Sequence, residues 1–413
     1  AELSDAEKPR FSAIQDEQAM LGKAFSDHVL DSTDNFVHLI SDKAELAGLP
    51  EDAIAAAADL AQQKQLQGWA FSLHFPSYYP VMQYSENRSL RRLMYEAYVT
   101  RASELAPQYA QGKLEWDNTQ NMLEQLKLRD EEARMLGFKN YAALSLAPKM
   151  ANSVEEVDAF LTNFAQKSKP FALKDWEELT EFAKSELAIV DGLEPWDIAF
   201  ASEKLKQERY AFSENELKQY FPLPKVLEGL FGVIQTLFGV KIEKANLPTW
   251  HTDVQSFEVK NASGNTAAYF YLDPYARSGK RGGAWMDDVR GRWQRPDTGV
   301  LQTPVAHLVC NFAEGVNGQP ALLTHDDVIT LFHEFGHGLH HMLTQVNERD
   351  VSGISGVEWD AVELPSQFME NFCWEWSVLS QMTAHVETGK SLPRHLFDKM
   401  LAAKNFQSGL QTL

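Results

Sequence analysis

Cysteine is nearly absent: the 413-residue chain holds two, Cys310 and Cys373, each inside an apolar stretch. This excludes a disulfide framework, makes both thiols small buried apolar residues, and makes the cytosol the expected compartment. Any run of about 18 apolar residues is also missing. The nearest candidate, Val226 to Val240, is interrupted by Glu228 and Gln235 and reads as a buried helix. No secretory signal opens the chain, and no membrane partner is expected. Positive charge is scarce, with 38 Lys and Arg against 58 Asp and Glu for a net charge of −20. Phosphate backbones and anionic lipid headgroups would be repelled, which argues against nucleic-acid and membrane-surface binding. Internal repeats and low-complexity tracts are lacking too. The chain starts at Ala1 without Met and stops at Leu413 inside a helical pattern, so both ends of a longer protein are expected beyond it.

What is present is a soluble globular composition, 44% hydrophobic and 23% charged, too long for one small core. The first 240 residues have helical periodicity. Leu90, Leu93, Met94, Ala97 and Tyr98 recur at helical spacing, as do Met122, Leu123, Leu126 and Leu128 less strictly, and Glu51 to Leu66 is rich in helix formers. Breaks are expected at Phe75–Pro80, Asp191–Pro195 and Phe221–Pro224. Past Lys241 the pattern changes. Ser256–Lys260 alternates, Asn261–Asn265 has turn chemistry and Thr266–Leu272 is rich in β-formers, which together predict a hairpin. A Gly/Arg-rich loop is expected over Arg277–Arg295, a buried strand over Pro304–Phe312, and a turn at Val316–Pro320. Two long helices joined by Ser352–Gly356 should follow. The expected fold is mainly α, with a small β-sheet next to the first of these two helices.

The chemistry is concentrated between Thr324 and His341. Thr324 can cap a helix, Asp326 and Asp327 suit its first turn, and Val328, Ile329, Leu331, Phe332, Phe335 and Leu339 form an apolar face. His333 and His337 then stand one turn apart, about 6 Å along the axis, on one side. Two such imidazoles can converge on one Zn²⁺, while Glu334 between them is placed to take a proton from metal-bound water. His341 continues the series but lies about 12 Å of rise from His333, too far to share the ion. The third ligand must come from elsewhere. A second helix is expected to begin near Asp360, because Pro365 is tolerated only in a first turn. Glu363 at its N-terminal end is the favoured ligand, ahead of Glu358 and Asp360. Glu370, two turns later, either orients a ligating imidazole or forms an ordinary ion pair. Gly336 and Gly338 each weaken a helix by about 1 kcal/mol relative to Ala. They imply close approach by substrate backbone or by a packed neighbour.

His333-Glu334-Phe335-Gly336-His337-Gly338-Leu339-His340 and Val362-Glu363-Leu364-Pro365-Ser366-Gln367-Phe368-Met369-Glu370-Asn371 resemble the two signature helices of the thimet oligopeptidase family. The likeness extends upstream through Tyr141-Ala142-Ala143, Lys149-Met150, Gly283-Ala284-Trp285-Met286 and Cys310-Asn311-Phe312, and covers essentially the whole chain. The resemblance implies a two-lobed, mostly helical zincin-type metallopeptidase with a deep substrate channel. In it, residues 1–110 and 211–413 would form the catalytic lobe and 111–210 part of the opposing one. It implies one Zn²⁺ held by His333, His337 and Glu363, with Glu334 as general base and His340 near substrate or the ligands. Short peptides would be cut at internal bonds in the cytoplasm by a monomer. Release of C-terminal dipeptides, or a zinc-binding but inactive fragment, are the rival readings. Residues that stabilise the transition state would lie beyond Leu413.

Overall fold

The computed structural model describes residues 3–211 and 213–412. Contacts divide the chain into two compact units. One comprises residues 1–205, 278–281 and 405–413, and the other residues 206–277 and 282–404. Residues 1–110, grouped by sequence with the catalytic part, fall in the first unit.

The first unit is built from helices, among them Arg88–Val99, Thr119–Met135 and the 33-residue Val154–Glu186. Leu90, Met94 and Ala97 face a core with Phe36, Leu73 and Val81, as their spacing requires. The Thr119–Met135 pattern behaves differently: Leu128 is buried, whereas Met122, Leu123 and Leu126 lie on the surface. The break expected at Phe75–Pro80 is instead a helix, Phe75–Tyr84. Pro76 occupies its first turn, where no amide donor is needed, and Pro80 forfeits one hydrogen bond without ending it. Inside this unit Asp197 is fully buried and accepts hydrogen bonds from Arg88 (2.6 Å) and from Arg91 (2.8 Å), itself 1% exposed. Burial opposes the Asp197 charge, but the two guanidiniums and the Glu194 N–H outweigh it and hold the carboxyl below the usual range.

The second unit holds a five-stranded mixed sheet. In spatial order its strands are Lys241–Ala245, Gln255–Lys260, Thr266–Tyr275, Val305–Phe312 and Trp285–Arg290. The predicted hairpin is present, its turn made by Gly264 at φ +79° and by Asn261 Oδ1, which accepts from the Ser263 and Asn265 amides. Val305–Phe312 runs parallel to Thr266–Tyr275 on one side and antiparallel to Trp285–Arg290 on the other. Its backbone is therefore fully engaged. The outermost strand Trp285–Arg290 lies inside the stretch expected to be a loop. Its Asp287 to Arg290 half is exposed, so it never shows a buried alternation that would mark it as a strand.

Phe257, Phe270 and Phe335 form the centre of this unit's core, with Phe257 stacked on Phe270 at 4.8 Å and Phe335 edge-on to Phe270 at 5.1 Å. Phe335 belongs to the helix His325–Met342, so the core fixes that helix against the sheet. Helix Leu223–Phe238 closes the same core and ends at Gly239 in the left-handed region. Cys310 and Cys373 are buried free thiols. No helix among the described residues is long and apolar enough to cross a membrane.

Candidate active site

The helix His325–Met342 starts with a capping box. Thr324 Oγ1 accepts from the Asp327 amide at 3.0 Å, and Asp327 Oδ2 accepts from the Thr324 amide at 2.9 Å. Val328, Leu331, Phe332 and Phe335 are fully buried on one side. The remaining side presents His333 and His337, whose rings stand 5.0 Å apart and nearly perpendicular.

The second region departs from expectation. No long helix starts near Asp360; turns continue to Glu363, and a seven-residue helix runs from Leu364 to Glu370 before a 3₁₀ turn at Asn371–Trp374. Two glycines in the left-handed region, Gly353 and Gly356, keep the approach irregular. Pro365 still sits in the first turn, and Glu363 becomes the cap residue. The start of this short helix can pack directly on the motif helix because Gly336 lacks a side chain. A methyl group there would stand 2.5 Å from Ser366 Cα and closer still to the Pro365 carbonyl oxygen. The close approach foreseen at Gly336 is thus a packed backbone. A methyl group at Gly338 would meet only the ends of the Leu308 and Met342 side chains, at 3.1 Å and 3.5 Å.

Glu363 Oε2 lies 3.2 Å from His333 Nε2 and 3.2 Å from His337 Nε2. The three ligand atoms all fall within 4.8 Å of one another, the one such group of metal-competent side chains among the described residues. Ligands about 2.1 Å from a tetrahedral ion sit roughly 3.4 Å apart, so the donor set and its spacing fit zinc. The other ring nitrogen of His333, Nδ1, is 2.7 Å from Glu370 Oε1. An Nδ1–H donated there leaves the Nε2 lone pair facing Glu363. Glu363 is itself held: Ser366 Oγ donates to Glu363 Oε2 at 2.9 Å or to the Glu363 carbonyl at 2.8 Å.

Glu334 is 5% exposed. Burial pushes its carboxyl up to about 7, opposed by His333 and aided by the Glu363 charge. Burial also moves His337 downward, keeping it neutral and able to bind a cation. His340 sits in the helix's last turn and is outside the three-residue cluster, its Nδ1 buried without a hydrogen bond. Glu358 and Asp360 lie in the turns before the short helix and are outside it as well.

Two side chains escaped the sequence reading. Ser366 was visible in principle, since Glu-x-x-Ser at a helix start allows this contact. His341, fully buried, lies 3.0 Å from the Arg290 carbonyl through Nε2 and so ties the sheet's edge strand to the motif helix. Its partner is 51 residues upstream, and no local pattern signals it.

Residues 81–413 match the profile of Peptidase family M3. The chain is 51% identical over 409 residues to Oligopeptidase A of Escherichia coli (strain K12), covering 99% of this chain and 59% of that protein. Identity is 44% over 424 residues to the probable cytosolic oligopeptidase A of Arabidopsis thaliana, covering 100% of this chain and 59% of the relative. A dipeptidyl carboxypeptidase of Escherichia coli (strain K12) is 33% identical over 421 residues, again with 100% and 59% covered. The chain thus spans about three-fifths of the length of these relatives.

Proposed function

Because the chain belongs to peptidase family M3, we propose that it carries the metal-binding part of a zinc-dependent endopeptidase acting on short oligopeptides. The observation that supports this most directly is the convergence of His333 Nε2 and His337 Nε2 on one oxygen of Glu363. A zinc ion held by these three residues would supply Lewis-acid polarisation of a carbonyl and would lower the pKa of a bound water to about 7.

This chain's own groups do the rest. Glu334 accepts the proton of the attacking water and returns it to the departing amine; a carboxyl raised toward neutrality suits both steps. Glu370 and Ser366 fix the orientation of His333 and Glu363. Val305–Phe312 is paired on both sides and has no edge left for a substrate backbone. Of the sheet's two edge strands, Lys241–Ala245 and Trp285–Arg290, the latter is tied to the motif helix through His341 and is the one we assign to take an extended peptide as a further strand.

The test is a metal and turnover assay on one preparation. One zinc per chain, hydrolysis of a quenched fluorescent peptide, loss on chelation and recovery with zinc are expected. Glu334→Gln should keep the metal and lose about 10²- to 10⁴-fold in rate. Absence of zinc binding, or a fully active Glu334→Gln variant, refutes the reading. Dipeptide release is the second reading, favoured by the similarity to a dipeptidyl carboxypeptidase. A ten-residue peptide amidated at its C-terminus separates the two, since an exopeptidase stalls on it.

A further inference from the structure

The turn after the edge strand and the 3₁₀ turn Arg349–Val351 enclose a cavity of about 470 Å³. It is lined by Asp288, Arg290, Trp293, Arg295, Arg349 and Asp350, among others. Many arginines in this acidic chain find carboxylates, as in Arg10 with Glu131, Arg277 with Asp273 and Arg394 with Asp398, while Arg101 and Arg292 bond neutral oxygens. The three around this cavity find no carboxylate among the described residues. Arg290 is hydrogen-bonded to the Thr303 carbonyl and hydroxyl, and Arg295 lies over the Trp293 ring. The Arg349 side chain makes no hydrogen bond or ion pair among the described residues.

The cavity is fixed relative to the metal ligands. His341, whose Nε2 reaches the Arg290 carbonyl, is one turn beyond His337 on the same helix. That turn is about 6 Å of rise, and an extended peptide advances about 3.3 Å per residue. We propose that this cavity is a subsite for a carboxylate on the peptide substrate, about two to four residues from the bond cut. The inference rests on the peptidase reading above. Three arginines and two aspartates leave one net positive charge, which suits a singly charged carboxylate rather than a phosphate, and guanidinium forks match its planar geometry. Asp287, on the edge strand but outside the cavity lining, repels an acid next to it, which favours the cavity over that neighbouring position.

Fluorescein-labelled octapeptides are titrated by anisotropy against zinc-loaded Glu334→Gln protein, with Glu or Gln at each position and the C-terminus free or amidated. One acidic placement should bind roughly fivefold tighter than its neutral partner, the upper end of exposed arginine–carboxylate contacts. Arg349→Gln and Arg295→Gln on the same background should abolish that ratio while leaving the Gln peptides unchanged. A ratio that follows amidation rather than the side chain identifies the chain terminus as the carboxylate's source. A ratio of one at every position, or one that survives both substitutions, overturns the subsite while leaving the peptidase reading intact. If no peptide binds at all, the peptidase reading fails and the subsite with it.

Discussion

Replacing Gly336 with Ala should detach the third ligand from the site. The new methyl group would stand 2.5 Å from Ser366 Cα, whereas carbon atoms rest about 3.5–4.0 Å apart. The Pro365–Ser366 backbone must therefore retreat by about 1 Å. Glu363 moves with it, because Ser366 Oγ anchors Glu363 through Oε2 or the carbonyl. Metal–ligand distances tolerate only about 0.2 Å. Zinc affinity should fall at least tenfold to a hundredfold, the scale of losing an orienting contact. Overpacking should also remove about 1–3 kcal/mol of stability. Gly338→Ala is the control two residues away. Its methyl group meets only Leu308 Cδ2 at 3.1 Å and Met342 Cε at 3.5 Å, the ends of flexible side chains. Helix propensity then returns about 1 kcal/mol, and zinc affinity should stay within about twofold. Chelator competition gives both zinc constants, and urea unfolding of the metal-free proteins separates packing damage from ligand loss. Equal zinc affinity in the two variants would refute the argument.

Further outcomes follow from the same geometry. Ser366→Ala and Glu370→Gln should each weaken zinc binding about 10- to 100-fold with little loss of fold, read by the same competition; unchanged affinity would mean that neither side chain orients a ligand. Asp197→Asn should cost about 3–5 kcal/mol in chemical denaturation, because Arg91 stays buried without its counter-charge. The Asp197 carboxyl is held below its ordinary range, so its stabilisation is complete above the unfolded value and lost as pH falls through the folded one. The gap between wild type and Asp197→Asn should accordingly narrow on acidification toward pH 2; a gap that stays constant contradicts the assignment.

The motif helix was legible because every local signal agrees: a capping residue, acids in the first turn, and an apolar face opposite the His333–His337 pair. Glu363 could be reached from Pro365 and the helix dipole, although the helix itself starts later and is shorter than its pattern implies. The misreadings have a common origin. Trp285–Arg290 is a strand only because Val305–Phe312 pairs with it, and its exposed half offers no periodicity. Phe75–Tyr84 is helical despite two prolines because burial of Tyr78, Val81 and Met82 outweighs one lost hydrogen bond. The close packing of the Pro365–Ser366 backbone on Gly336 depends on contact between residues about thirty positions apart, which no window of sequence contains.

The exposed rim of the sheet also governs how copies of the chain meet. An unpaired strand is a template for zippering into dimers and fibrils. Two such rims brought together would set the Asp287 and Asp288 carboxylates of each copy against those of the other, and like charges across a strand pair are destabilising. A slender, uncharged peptide meets no such repulsion. The strand that can accept a guest is thereby guarded against its own kind, and concentrated solutions should stay free of strand-mediated clumping.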